Sequence, residues 1–167
     1  MARTLRTQLP DGVFHVTTLG VDHTAVFRDG LDRRRFLTLL AGCVKRFGWD
    51  VYAYCLMTTH YHLVLETTVE AMACGMHRLN GIHALLFNKR HKRCGHLFGD
   101  RYSSRVVDSD EYLAAAIDYV LFNPVRAGLC ARPEEWPWNG LNPRFADVQP
   151  NTCSSDDPPI IWIGYGR

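Results

Sequence analysis

The sequence predicts an α+β protein whose core is a ferredoxin-like split βαβ sheet. Strand and helix patterns follow one another in the order strand, helix, strand, strand, helix, strand, and one further helix pattern comes after them. The chain of 167 residues is 47% hydrophobic, which is enough for one buried core. We expect an antiparallel sheet of about four to five strands with helices on one face, then a C-terminal helix and an irregular tail.

The first half of the pattern contains one strand, one helix and a hairpin. Residues 12–19 alternate in the manner of a strand, and residues 31–47 carry apolar side chains at spacings of three and four, which is typical of an amphipathic helix. Gly48 ends this helix. Residues 49–57 and 60–66 each have the composition of a strand, and the short break between them predicts that they pair as a hairpin.

The second half adds a helix, a short strand and a third helix. Residues 69 to about 90 have a helix pattern, and residues 103–107 are compatible with a fourth strand. Asp108 or Ser109 then caps a third helix, which runs to about residue 122.

The end of the chain differs in composition from the rest. From residue 132 onward it is rich in proline and polar side chains, so we expect irregular structure there. We assign residues 1–144 to one domain and residues 145–167 to an irregular C-terminal tail. The apolar run at residues 160–165 suggests that the end of this tail packs on the domain and covers a groove.

Composition bounds the class of protein. Six scattered cysteines without a CxxC pair favour free thiols over a disulfide framework. No apolar run approaches the roughly 20 residues of a membrane helix, and the basic N-terminus is not followed by a signal-peptide core. We therefore expect a cytoplasmic protein without membrane contact. A small zinc protein is a rival interpretation, because CxxH and CxH patterns are formed by Cys74, His77, Cys94 and His96.

Basic residues concentrate in one part of a nearly neutral chain. From Arg78 to Arg105 there are seven basic residues and one acidic residue, so this stretch carries +6 while the rest of the chain carries −4. Such a surface fits a polyphosphate partner, and it fits a solubilising surface equally well. The predicted phosphate contacts are Lys89, Arg90, Lys92, Arg93, Arg101 and Arg105. Phe98 and Tyr102 are predicted to be exposed and to stack on unpaired bases.

A His-Tyr-His pattern lies at the start of the third predicted strand. Side chains of a strand alternate between two faces, so His60 and His62 project to one side while Tyr61 points to the other. Neutral imidazole is a common metal ligand, and two imidazoles on a rigid strand make half of a metal site. Two ordinary surface or core histidines would give the same pattern, and the spacing alone leaves both interpretations open.

The third predicted helix carries two tyrosines on one flank. At about 100° per residue, Tyr112, Tyr119 and Asn123 cluster beside the apolar stripe, and the last two are neighbours one turn apart. Tyrosines at such positions can face a site on the sheet or simply pack with wet hydroxyls. If this helix lies against the histidine strand, a divalent cation held by two histidines and one oxygen would polarise a phosphate while a tyrosine attacks phosphorus.

Four stretches carry a recognisable pattern when they are taken in order: residues 56–66, 95–102, 119–129 and 133–139. Together they resemble the insertion-sequence-type tyrosine transposases of the HUH superfamily, and in particular their REP-associated branch. The resemblance spans about residues 12–140. Two departures from the family pattern are Tyr61, where a small aliphatic residue is usual, and Thr59, where asparagine is usual.

The resemblance implies a role for each matching position. His60 and His62 match the paired ligands of Mg²⁺ or Mn²⁺, Tyr119 matches the nucleophile, and Asn123 matches a third polar ligand. The implied enzyme is an HUH-type tyrosine transposase. It cleaves and rejoins single-stranded DNA near hairpins of repetitive extragenic palindromes (REP elements), through a 5′-phosphotyrosine intermediate. The implied partner is single-stranded or hairpin DNA, bound by a monomer or a homodimer. The alternative is a non-catalytic nucleic-acid-binding regulator on the same fold.

Overall fold

The computed structural model describes residues 10–142 and confirms the predicted α+β fold. A five-stranded antiparallel sheet has the strand order β4-β1-β3-β2-β5. The strands are β1 (Gly12–Leu19), β2 (Asp50–Leu56), β3 (His60–Thr67), β4 (Ser103–Val107) and β5 (Asn139–Leu141). The helices are α1 (Gly30–Phe47), α2 (Val69–His91), α3 (Asp110–Leu121) and α4 (Asn123–Arg126).

Local capping explains where the helices begin and end. The carboxylate of Asp29 accepts hydrogen bonds from the first backbone N–H groups of α1, and Gly48 ends that helix in the left-handed region at φ 66°. The hydroxyl of Ser109 accepts a hydrogen bond from the N–H of Tyr112 and so begins α3. The chain kinks at Phe122, between α3 and α4. Tyr119 and Asn123 therefore lie on two separate helices, and not one turn apart on a single helix as predicted.

The helices lie on both faces of the sheet. On one face, α1 and α2 pack against β1 and β3 through buried residues that include Phe36, Met76 and Tyr61. On the other face, α3 packs against β2 and β3, where Ile117 and Val64 are fully buried. Alternation along β3 therefore sends Tyr61 toward α1 and α2, and it sends the flanking histidines toward α3.

One sequence-based expectation is wrong: the chain after residue 132 is not irregular throughout. A short 3₁₀ helix covers Pro133–Glu135, and β5 adds a fifth strand to the free edge of β2. The buried amide of Asn139 fastens this segment, because its Nδ2 donates to the carbonyl oxygens of Leu121, at 2.9 Å, and Pro133, at 3.2 Å. These bonds also hold the end of α3 in place.

The predicted tail at residues 145–167, including the apolar run at 160–165, lies outside the described residues. Within residues 10–142, no helix is long and apolar enough to cross a membrane.

Candidate functional site

A cluster of polar side chains lies on the face of the sheet that α3 covers. The pairing of β1 with β3 sets Thr17 opposite His62, so His15 and Thr17 both reach the same imidazole. The Nδ1 atom of His62 lies 3.0 Å from Nε2 of His15 and 3.0 Å from Oγ1 of Thr17. Because the residue His62 is only 5% exposed, these contacts fix its ring within the fold.

The chain brings a third polar residue to the predicted histidine pair. Asn123, the first residue of α4, places Nδ2 3.1 Å from Nε2 of His62, and it also hydrogen-bonds to His60. The two histidine rings are 5.0 Å apart, centre to centre. His60, His62 and Asn123 therefore converge, although more than 55 residues of chain separate the histidines from the amide.

The hydrogen bonds indicate which nitrogen of His62 is free to bind a ligand. The network is satisfied when Nδ1 carries the proton and donates it to His15 or Thr17, since Nε2 then accepts from the Asn123 amide. Rotation of that amide by half a turn would present its oxygen in place of its nitrogen. The same pocket of atoms would then offer two imidazole nitrogens and one oxygen.

Burial keeps these imidazoles neutral. Desolvation, followed by the neighbouring His15 and His60, lowers the pKa of His62 to about 3. Desolvation also lowers the pKa of His60. For His15 the pKa is lowered first by burial and then by the positive charge of Arg105. Neutral imidazole is the form that has a lone pair for a metal ion, so the cluster is ready to bind a cation at neutral pH.

Tyr119 lies beside the cluster on α3. Its residue is 44% exposed, and its ring meets the rings of His62 and His15 edge-on, each at 5.6 Å between centres. Arg126 holds it from the other side: the guanidinium carbon is 5.0 Å from the ring centre, and Nη1 donates to the backbone oxygen of Tyr119 at 3.1 Å. The accessible phenol of Tyr119 is thus held next to two imidazoles and the guanidinium of Arg126.

The rival zinc interpretation is wrong for the part of the chain that is described. In residues 10–142, no group of three or more His, Cys, Asp or Glu side chains is arranged to hold a metal ion. Cys74 and Cys94 are both exposed free thiols. The same finding means that, within residues 10–142, no third His, Cys, Asp or Glu side chain completes a metal site with the histidine pair.

The predicted phosphate contacts are not one continuous surface. Arg105 faces the candidate site, because β4 pairs it with His15. Arg90 instead forms ion pairs with Asp29 at 2.5 Å and Asp32 at 2.6 Å, so it fastens α2 to α1. Three of the basic residues are exposed: Lys89 in the last turn of α2, Lys92 directly after that helix, and Arg101 in the loop before β4. Arg93 is half-buried, with its guanidinium 5.9 Å from the Phe87 ring centre.

The prediction of two exposed aromatic residues is wrong. Tyr102 is only 7% exposed and Phe98 is half-buried, and both pack with the core formed by α1 and α2. Sequence reasoning also missed His15, Thr17 and Arg126 as members of the site. The available indication was the pair His15 and Thr17 on one face of a strand, since polar residues on a covered face need partners.

Comparison with known proteins identifies a matching family and similar folds. The sequence matches the family model for IS200-like transposases over residues 10–121. The structure of a REP-associated tyrosine transposase bound to a REP hairpin has a TM-score of 0.64 and 16% identity, and the match covers 96% of this chain and 99% of that chain. A Deinococcus radiodurans protein described as a candidate transposase has a TM-score of 0.49 and 18% identity, with 74% of this chain and 95% of that chain covered. No functionally curated protein matches the sequence.

The family match spans well over half of the chain and includes the histidine strand and Tyr119. The structural match at 16% identity independently supports the fold. The chain therefore belongs to the family of IS200-like transposases, enzymes of DNA transposition.

Proposed function

We propose that the chain is a metal-dependent single-strand DNA transesterase, which cleaves and rejoins DNA near palindromic hairpins through a 5′-phosphotyrosine intermediate. The observation that carries the proposal is the convergence of Asn123 on both histidines of β3, with the exposed ring of Tyr119 at 5.6 Å from the His62 ring. A site that only bound nucleic acid would not need neutral, buried or half-buried side chains of the kind that bind metals beside an accessible phenol.

The proposed reaction is a transesterification at phosphorus. The phenol oxygen of Tyr119 loses its proton to solvent and bonds to phosphorus, while the bond from phosphorus to the 3′ oxygen breaks. That oxygen takes up a proton and leaves as a 3′ hydroxyl, and the 5′ phosphate stays on the tyrosine. Attack by a 3′ hydroxyl on the phosphotyrosine reverses the step and rejoins the strand. One phosphoester replaces another, so no external energy source is required.

His60, His62 and Asn123 would hold the divalent cation, Mg²⁺ or Mn²⁺. Bound there, the cation would supply electrophilic polarisation of the scissile phosphate. All three side chains are neutral, so they leave the charge of the cation uncompensated. The negative charge of the DNA phosphate would compensate it, and we therefore expect the cation to bind more tightly when DNA is present.

The proposed partner is single-stranded DNA with a hairpin. The structurally similar REP-associated transposase was solved with a REP hairpin, which supports a hairpin partner here. On this chain, the exposed Lys92 and Arg101 are the proposed phosphate contacts, and Arg105 beside the site is a further proposed DNA contact. Contacts of this kind release counterions, so binding should weaken steeply as salt rises.

The test is covalent capture of labelled DNA. The protein is incubated with single-stranded oligonucleotides that carry palindromic hairpins from the repeats beside its own gene, in Mn²⁺ or in EDTA, and the products are separated on denaturing gels. We expect a covalent band in Mn²⁺ that is absent in EDTA and absent with Tyr119→Phe. Tyr112→Phe is the matched control on the same flank of α3; it keeps the aromatic ring and removes only the hydroxyl, so the band should remain. Clear hairpin binding without any covalent band would favour the alternative, a non-catalytic binding regulator.

A further inference from the structure

Four side chains from β1 and β4 form a polar floor beside the proposed catalytic residues. The register of these strands sets Ser103 opposite Thr17 and Arg105 opposite His15. Opposite residues of an antiparallel pair project to the same face, so all four lie on the α3 side of the sheet. Arg105 has no ion-pair partner within residues 10–142, and its charge is available to a ligand.

Helix α3 leaves this floor partly open. Its apolar stripe, which includes Ile117 and Val120, packs over β2 and β3 against residues such as Ala53. The flank turned toward β1 and β4 carries Tyr112, Ala115 and Tyr119. A trough of about 510 Å³ therefore remains between the helix and the sheet. The side chains that line it are His15, Thr17, His62, Ser103, Arg105, Tyr112, Ala115, Ala116 and Tyr119.

The lining of the trough has the chemistry that an unpaired nucleobase requires. Tyr112 and Tyr119 place an aromatic ring at each end of one wall, and the small Ala115 leaves room between them. Nucleobases stack on aromatic rings largely irrespective of sequence. The guanidinium of Arg105 and the hydroxyl of Ser103 provide donors for the acceptor atoms on the edge of a base, in the way that arginine contacts guanine.

We propose that the trough is a binding site for one unpaired nucleotide adjacent to the phosphodiester that Tyr119 attacks. The proposal rests on the proposed function, because Tyr119 forms a wall of both the trough and the reaction site. When a DNA phosphate lies at Tyr119, the neighbouring nucleotide lies either along this flank of α3 or away from it. The trough accepts the base along the flank, where Tyr112 stacks on it and Arg105 binds its edge.

Binding measurements test the trough without relying on cleavage. The Tyr119→Phe protein keeps the ring but removes the nucleophile. Its affinity is measured by fluorescence anisotropy for a dye-labelled hairpin oligonucleotide, and for a series in which one abasic site is moved through the single-stranded flank. We expect one abasic position to weaken binding about ten-fold, in keeping with the loss of one base–aromatic stack. The substitution Ala115→Leu should fill the trough without disturbing α3, since both alanine and leucine favour helix.

The informative comparison is the abasic series in Ala115→Leu on the Tyr119→Phe background. The intact oligonucleotide should bind about ten-fold more weakly, and the sensitive abasic position should no longer matter. Ala73→Leu is the matched control, at an exposed position of α2 across the sheet, and should reproduce the parent protein. An equal cost of every abasic site in both proteins would overturn the proposal, and so would an oligonucleotide that fails to bind. Covalent capture by the wild-type protein reports the proposed function separately, so the two can fail independently.

Discussion

His62 makes the stability of the fold depend on pH in a predictable direction. Burial lowers the pKa of His62 to about 3, whereas the same imidazole in the unfolded chain has its ordinary value of 6.5. As pH falls below 6.5, the His62 imidazole binds a proton in the unfolded chain but not in the folded protein, and the free energy of unfolding decreases. The stability that neutral His62 allows is fully present above pH 6.5 and is lost progressively below it.

The magnitude follows from the two values of the pKa. Between pH 7.5 and pH 5.5, the unfolded imidazole goes from mostly neutral to mostly charged, and the free energy of unfolding should fall by about 1.4 kcal/mol from His62 alone. The lowered pKa values of His15, His60 and the buried His83 act in the same direction. Removal of one histidine therefore isolates one contribution.

The assay is urea unfolding of wild type and His62→Gln at both pH values. Glutamine keeps a hydrogen-bonding side chain at the position but cannot titrate, so the variant should lose about 1.4 kcal/mol of the pH dependence, whatever its absolute stability. His77→Gln, at an exposed position of α2, is the matched histidine-to-glutamine control. The same pH dependence in His62→Gln as in wild type would refute the conclusion that His62 is held neutral.

Three further substitutions have defined outcomes. His15→Ala should weaken Mn²⁺ binding about 10- to 100-fold in titrations followed by electron paramagnetic resonance, because a ligand loses the partner that orients it; unchanged affinity would remove His15 from the site. Arg126→Ala should lower the rate of covalent capture while leaving hairpin affinity within about three-fold, since this arginine holds the ring of Tyr119; an equal loss of affinity would instead make it a DNA contact. Gly75→Ala should destabilise the protein by about 2 kcal/mol in urea unfolding, because the new Cβ would lie 2.2 Å from a ring carbon of Trp49 and this clash outweighs the helix propensity gained; a more stable variant would contradict the packing.

Most of the fold was predictable because its signals are local. Alternation identified β1 and the hairpin of β2 and β3, and the spacing of apolar residues identified α1 and α2. Capping predicted that α3 starts after Asp108 or Ser109, and in the structure Ser109 is the capping residue. The strand β5 was not predictable in the same way, because three residues that include Gly140 have no readable period. That strand forms because β2 offers a free edge, which is a property of the assembled sheet.

The position of the histidine pair on the sheet could be predicted from the sequence, and its surroundings could not. The faces of His60 and His62 follow from strand alternation, but the contact with His15 depends on the register between β1 and β3. Arg90 had the same sequence features as the other basic residues, yet Asp29 and Asp32, about 60 positions earlier, bind its charge. Partners at such distances along the chain are set by tertiary packing, which no local pattern encodes.

The central claim is that Tyr119 becomes covalently linked to DNA at the site formed by β3 and α4. Its most direct test is mass spectrometry of the trapped adduct after digestion with nuclease and trypsin. Cleavage after Arg105 and Arg126 releases one peptide that contains both Tyr112 and Tyr119, so fragmentation can assign the modified residue. We predict a nucleotide joined through its 5′ phosphate to Tyr119, formed only with divalent cation. A nucleotide on Tyr112, or an adduct that forms equally well in EDTA, would contradict it.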